Sequence, residues 1–262
     1  MGEAQITEAS ALEYVLRRDR ALVIGGLLGV ILLSWLYLLQ GAGMDMHAMG
    51  DMAMVMHWSP GYFALVVVMW TVMMVAMMLP SAAPMILLYA TIARRRRAQG
   101  GAAAATGVFV LGYAAVWTTF SFVATTLQWG LDAATLLSPM MMTTSIAAAG
   151  LVLVAAGVYQ WTPLKQACLR QCQSPLEFIL GHWREGTSGA LVMGLHHGLF
   201  CLGCCWMLML LLFIGGVMNL LWIAGLTLFV LVEKTVSSGH WLSRVAGAAL
   251  IAWGGVTLLS LA

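Results

Sequence analysis

Apolar residues in this chain come in long, nearly unbroken runs. They cover roughly residues 21–39, 61–79 (continuing toward 92), 105–127, 139–161, 188–214, 217–237 and 241–261. A helix needs about 20 apolar residues to cross a hydrocarbon layer ~30 Å thick. The pattern therefore predicts an all-α bundle of about seven transmembrane helices, with residues 21–262 as one transmembrane domain. In the sixth run Glu233 and Lys234 come after only about 15 apolar residues, short of the ~20 that a span needs. Lys234 is long enough to snorkel to the interface. Glu233 is not, which makes it a candidate partner for a buried cation or for a histidine such as His196. Ahead of the first run, residues 1–20 read as a cytoplasmic amphipathic helix. Ser10 to Glu13 has capping-box spacing, and Ile6, Leu12, Val15 and Leu16 could rest on the membrane. Length and polarity make this segment unlike a cleavable signal peptide.

Composition agrees. Only 8% of residues are charged and 62% are hydrophobic, against about 25% charged in a soluble domain. Such a chain cannot cover a water-facing surface, and it carries no basic array suited to nucleic acid. With seven alternating helices and a cytoplasmic N-terminus, all 12 Lys and Arg fall on the cytoplasmic side. The outer loops hold Asp45, Asp51 and Asp132 and no positive charge, as the positive-inside rule requires. This places the C-terminus outside and predicts a multi-pass protein of a bacterial inner membrane.

Against this apolar background, soft metal ligands stand out. The outer loop at 40–60 contains Met44, Met46, His47, Met49, Met52, Met54, Met56 and His57 within fourteen residues. Thioether and imidazole together favour Cu(I), and thioether stays unprotonated at any pH. In the second helix Met69, Met73 and Met77 repeat every four residues on one face, with Met74 and Met78 in the adjacent row. This can be a ladder for a moving ion or methionine filling irregular gaps. Pro80 and Pro84 follow, and they predict a structural kink or a hinge beside an ion path.

The densest set lies in the fifth helix. Met193, His197, Cys201 and Cys204 fall within about 40° of His197 on a helical wheel, forming one stripe. Cys205 lies beside it, and His196 is turned away by about 100°. Ionisable groups at this depth are functional candidates. Just inside the membrane, Cys168 and Cys172 are spaced i, i+4, with Lys165 and Arg170 placed to favour thiolate, and with His182 near. In the cytoplasm they are expected to be free thiols. They can take Cu(I), with Zn²⁺ as the other ion suited to thiols.

Five stretches occur together: Met74 to Pro80; Tyr159 to Lys165 with Cys168 and Cys172; Gly198 to Trp206 with its three cysteines; Met218-Asn219; and Glu233-Lys234. Their combination resembles a bacterial family of predicted metal-binding integral membrane proteins, a domain of unknown function, over roughly residues 60–240. The resemblance implies a metal, and a small soluble partner protein encoded nearby. The loop and the ladder are also similar to the methionine motifs of eukaryotic-type copper uptake channels, which have three helices per chain.

The residues thus predict a membrane protein that binds Cu(I) and moves it across the membrane or delivers it to a partner or copper chaperone. Ligand type runs from Met/His outside, through Met/His/Cys, to Cys inside. Membrane lipid is the surrounding partner, and a homo-oligomer is compatible with the pattern. Two other classes fit parts of it. Cys201 and Cys204 have the C-x-x-C spacing of a thiol–disulfide oxidoreductase. His196 or His197 could ligate haem. No Walker A motif is present, so a primary pump on this chain is not expected.

Overall fold

A computed structural model describes residues 2–42, 58–138, 141–236 and 239–261, with backbone alone for residues 2–20, 239 and 240. Among the described residues every regular element is a helix. They are α1 (Gly2–Leu39), α2 (Pro60–Ala98), α3 (Thr106–Ala133), α4 (Ile146–Gln160), α5 (Pro163–Gln173), α6 (Pro175–His182), α7 (Gly186–Leu210), α8 (Leu212–Gly215), α9 (Leu220–Thr235) and α10 (Gly239–Leu259).

Among the described residues, five helices are long and apolar enough to cross a membrane, or six if the bent pair α4–α5 is counted as one span. Their surface is inverted relative to a soluble protein. Leu22, Leu33, Leu111, Leu221 and Leu259 are exposed, while Ser121, Thr125, Gln128, Gln160, Lys165, Glu233 and Lys234 are buried. Such an apolar exterior is compatible with membrane association.

Helix ends follow local chemistry. Ser59 caps α2 by accepting from the Tyr62 amide at 3.1 Å, with Pro60 in the first turn where its missing N–H costs nothing. The α2 C-terminus carries Arg95, Arg96 and Arg97, which complement the helix dipole. Helix α2 continues through Pro80 and Pro84. Beside the prolines, the Met78 carbonyl accepts from the Ser81 hydroxyl at 2.9 Å and the Tyr113 hydroxyl at 3.3 Å, so this carbonyl stays satisfied within the bundle.

Three expectations change. No break separates residues 3–20 from the first span; α1 is continuous. The expected 139–161 helix starts only at Ile146. Thr135 and Met141 take left-handed backbone angles, and Ser145 caps α4 by accepting from the Ala148 amide. The expected 217–237 helix is Leu220–Thr235, started by Asn219, whose side chain accepts from the Trp222 amide at 3.2 Å. Between α4 and α5 the chain bends by 63°. Pro163 forces Thr162 into an extended conformation, and the Thr162 side chain then caps α5.

Helix α4 packs chiefly on α10, and α3 on α7. Glycines allow both contacts. A Cβ at Gly157 would lie 2.7 Å from the Gly247 carbonyl oxygen, and one at Gly254 would lie 2.8 Å from that of Gly150. Close backbone approach of this kind drives helix pairing in lipid, where no hydrophobic gain separates tails from Leu. Replacing Gly157 by leucine is expected to part α4 from α10 and destabilise the protein by about 1–3 kcal/mol. Thermal unfolding in detergent would show this as a lowered midpoint, and an unchanged midpoint would refute the packing.

Candidate functional site

The methionine ladder faces inward. Met69, Met73, Met74, Met77 and Met78 are all fully buried. The α7 stripe also lies in the interior, with Met193, His197, Cys201, Cys204 and Cys205 each at most 2% exposed. The residues grouped on one helical face are therefore all buried. The helical wheel placed Cys205 at the margin, whereas the structure packs it inside against Met78, with its Sγ 3.8 Å from the Met78 Sδ.

The main result is convergence. The 63° bend after α4 carries α5 back against α7. Cys172 thereby comes close to Cys201 and Cys204. Cys168 lies at the same helix crossing, its Sγ 2.7 Å from where a Gly203 Cβ would sit. Cys168 and Cys172 thus lie near the α7 cysteines. All five thiols are free and buried. The Cys204 and Cys205 thiols donate to the Cys201 carbonyl at 3.1 and 2.9 Å.

Lys234 corrects a second expectation. Its side chain turns into the protein, 5% exposed, instead of snorkelling outward. Its ammonium donates to the Cys201 Sγ at 2.9 Å and to the Ser81 Oγ at 3.4 Å. The Tyr113 hydroxyl lies 3.1 Å from the same sulfur. Sequence reasoning missed Lys234, Tyr113 and Ser81. The signal for Lys234 was present: a basic residue closing an apolar run too short to span.

Glu233 takes the first of its two expected kinds of partner, a buried cation, in place of His196: the Lys165 Nζ donates to Oε1 at 2.7 Å, and the Ser243 hydroxyl donates to the same oxygen at 2.6 Å. Both charged side chains are fully buried. Lys165 is therefore not free to activate Cys168 or Cys172, and Arg170 is exposed. Adjacent residues on a helix point about 100° apart. Glu233 thus serves α5 and α10 while Lys234 serves α2 and α7.

The histidines divide. His197 sits in an aromatic box, its ring 5.6 Å from Tyr113, 6.1 Å from Phe109 and 5.4 Å from Phe178. Its buried Nδ1 has no hydrogen-bond partner among the described residues. His196 is half-buried and meets His182 edge-on at 5.9 Å. Met193 lies at the α6–α7 junction, where its sulfur accepts from the Arg184 amide at 3.4 Å. Met44, Met46, His47, Met49, Met52, Met54, Met56 and His57 lie outside the described residues.

Among the described residues, no three of His, Cys, Asp and Glu stand in an arrangement that could hold a metal ion. The contacts of the cluster run to the Cys201 carbonyl, the Met78 sulfur and the Lys234 ammonium. What the chemistry offers is a pair of sulfurs with a thioether beside them, a donor set suited to Cu(I).

Apolar helices around a buried thiol–thioether cluster define a membrane-compatible helical protein with a soft-ligand interior. Residues 67–257, well over half of the chain, match the PpoB2 family, described as a copper chaperone, and the chain belongs to that family. The matched region contains the whole cluster and begins after the Met/His loop. No curated protein and no solved structure matches.

Proposed function

We propose that this protein is an integral membrane Cu(I)-binding protein. The ion enters the bundle at the Cys201 and Cys204 sulfurs, with Cys172, Cys205 and Met78 beside them, and passes across the membrane or to a partner. Met69, Met73 and Met77 line the approach, and the loop from Met44 to His57 collects the ion on the outer face. His197, Met193 and Cys168 flank the route. A bacterial inner membrane with a cytoplasmic N-terminus is the setting that the Lys and Arg distribution supports.

One observation carries the reading. Thiols from α5 and α7 and a thioether from α2 meet in the interior of a chain whose family is described as a copper chaperone. Soft ligands select Cu(I) over Mg²⁺ or Ca²⁺. The dithiol oxidoreductase reading is weaker, because Cys201 and Cys204 are buried and thiol exchange needs access to a partner's sulfur.

The test is an anaerobic Cu(I) titration of reduced, purified protein against a chromophoric chelator. Wild type is expected to take at least one ion per chain. Cys201→Ser/Cys204→Ser is expected to bind about a hundredfold more weakly, since hydroxyl is a poor ligand for a soft ion. Wild type that takes no Cu(I) would overturn the proposal.

A further inference from the structure

Lys234 is an unusual neighbour for a metal-binding thiol. Cations repel cations, and a buried ammonium is costly unless a negative group accompanies it. The other buried lysine, Lys165, has a carboxylate at 2.7 Å. The hydrogen-bond partners of the Lys234 Nζ are instead a sulfur and a hydroxyl. The sulfur belongs to Cys201, at the centre of the thiol cluster.

We propose that Lys234 selects the charge of the ion this cluster accepts, favouring a monovalent soft cation over a divalent one. The inference rests on the metal-binding reading above and adds a specificity-determining residue to it. Thiol ligands bind metal as thiolates. No trio of His, Cys, Asp or Glu among the described residues could hold an ion, so a pair of thiolates, Cys201 with Cys204, is the set to count. Two thiolates and a monovalent ion leave one negative charge, which the Lys234 ammonium cancels. With a divalent ion the pair is already neutral, and the ammonium leaves an uncompensated positive charge in the interior. Lys165 and Glu233 cancel each other and do not alter this count.

Lys234 is held for this role from three sides. It leaves α9 one residue after Glu233, which α5 and α10 hold through Lys165 and Ser243. Ser81, on the α2 turn after Pro80, accepts from its ammonium. Tyr113 of α3 contacts the same sulfur from α3. The ammonium therefore has a fixed position, and its effect depends on the charge of the incoming ion more than on its softness.

The experiment compares two thiophilic ions that differ in charge, Ag(I) and Cd(II). Equilibrium dialysis gives both affinities, and the ultraviolet metal–thiolate bands report binding independently of transport. Lys234→Met keeps an unbranched side chain one atom shorter and removes the charge. It is expected to raise the Cd(II)-to-Ag(I) affinity ratio about a hundredfold, the effect of one unit charge a few ångströms away at a moderate effective dielectric constant. Lys234→Arg is expected to keep a ratio near wild type. If Lys234→Met does not fold, Lys234→Gln reads the same ratio. A purely structural lysine would weaken both ions together, and an unchanged ratio would overturn the inference while leaving Ag(I) binding by wild type intact. Wild type that binds neither ion would overturn this inference and the reading beneath it.

Discussion

Lys165→Met is expected to destabilise the protein by about 3–5 kcal/mol, because it strands the Glu233 carboxylate in the interior. Both side chains are fully buried and 2.7 Å apart. Ser243 would remain on Oε1, while Oε2 already has no hydrogen-bond partner among the described residues. A neutral donor cannot compensate a buried charge as an ammonium does. The double variant Lys165→Met/Glu233→Met removes both charges at similar volume and is expected to recover most of the loss, as apolar replacements of buried ion pairs often do. Chemical denaturation in detergent micelles, followed by exposure of the five buried thiols, gives all three stabilities. A single variant within about 1 kcal/mol of wild type would show that the pair is not ionised in the fold.

The second large effect is expected from Gly194→Leu. A Cβ at Gly194 would collide with the backbone carbonyl of Phe109, and one at Gly112 with that of Leu191. These are backbone atoms that no rotamer change can move aside. Helices α3 and α7 would have to separate, at a cost of about 3 kcal/mol. The damage should extend to the site. Gly198 repeats the contact four residues on, 2.9 Å from the Val116 Cγ2, and Tyr113 of α3 touches both His197 and Cys201 of α7. Gly194→Leu is therefore expected to weaken Cu(I) binding as well as to lower the unfolding midpoint. Gly225→Ala is the control. Nothing lies within 4 Å of a Cβ there, and the change is expected to stay within about 0.5 kcal/mol of wild type. Equal effects at the two glycines would refute the close contact between α3 and α7.

Much of the site was legible because a helix converts spacing into direction. Met193, His197, Cys201 and Cys204 share a stripe by period alone, and the structure buries that stripe. The same holds for Met69, Met73 and Met77. Spacing within one helix cannot reveal which neighbour the stripe meets. Cys172 reaches Cys201 and Cys204 because the chain bends at Thr162-Pro163, and the angle of a bend is not written in hydropathy. The expected longer fourth and sixth spans failed for a related reason. Their apolar residues include loop segments held by local caps at Ser145 and Asn219, and apolar character alone does not distinguish helix from packed loop.

The sequence by itself determined the helical class, the apolar exterior, the inward faces of α2 and α7, and the soft-ligand character of the interior. These are properties of composition and of a 3.6-residue period, and they need no knowledge of neighbours. Only the tertiary structure decided that α5 and α7 pool their thiols, that Glu233 belongs to Lys165, and that Lys234 turns inward to Cys201. Each is a pairing between residues far apart in the chain. Such pairings are fixed by how the helices cross, and by the requirement that every charge taken from water finds a partner.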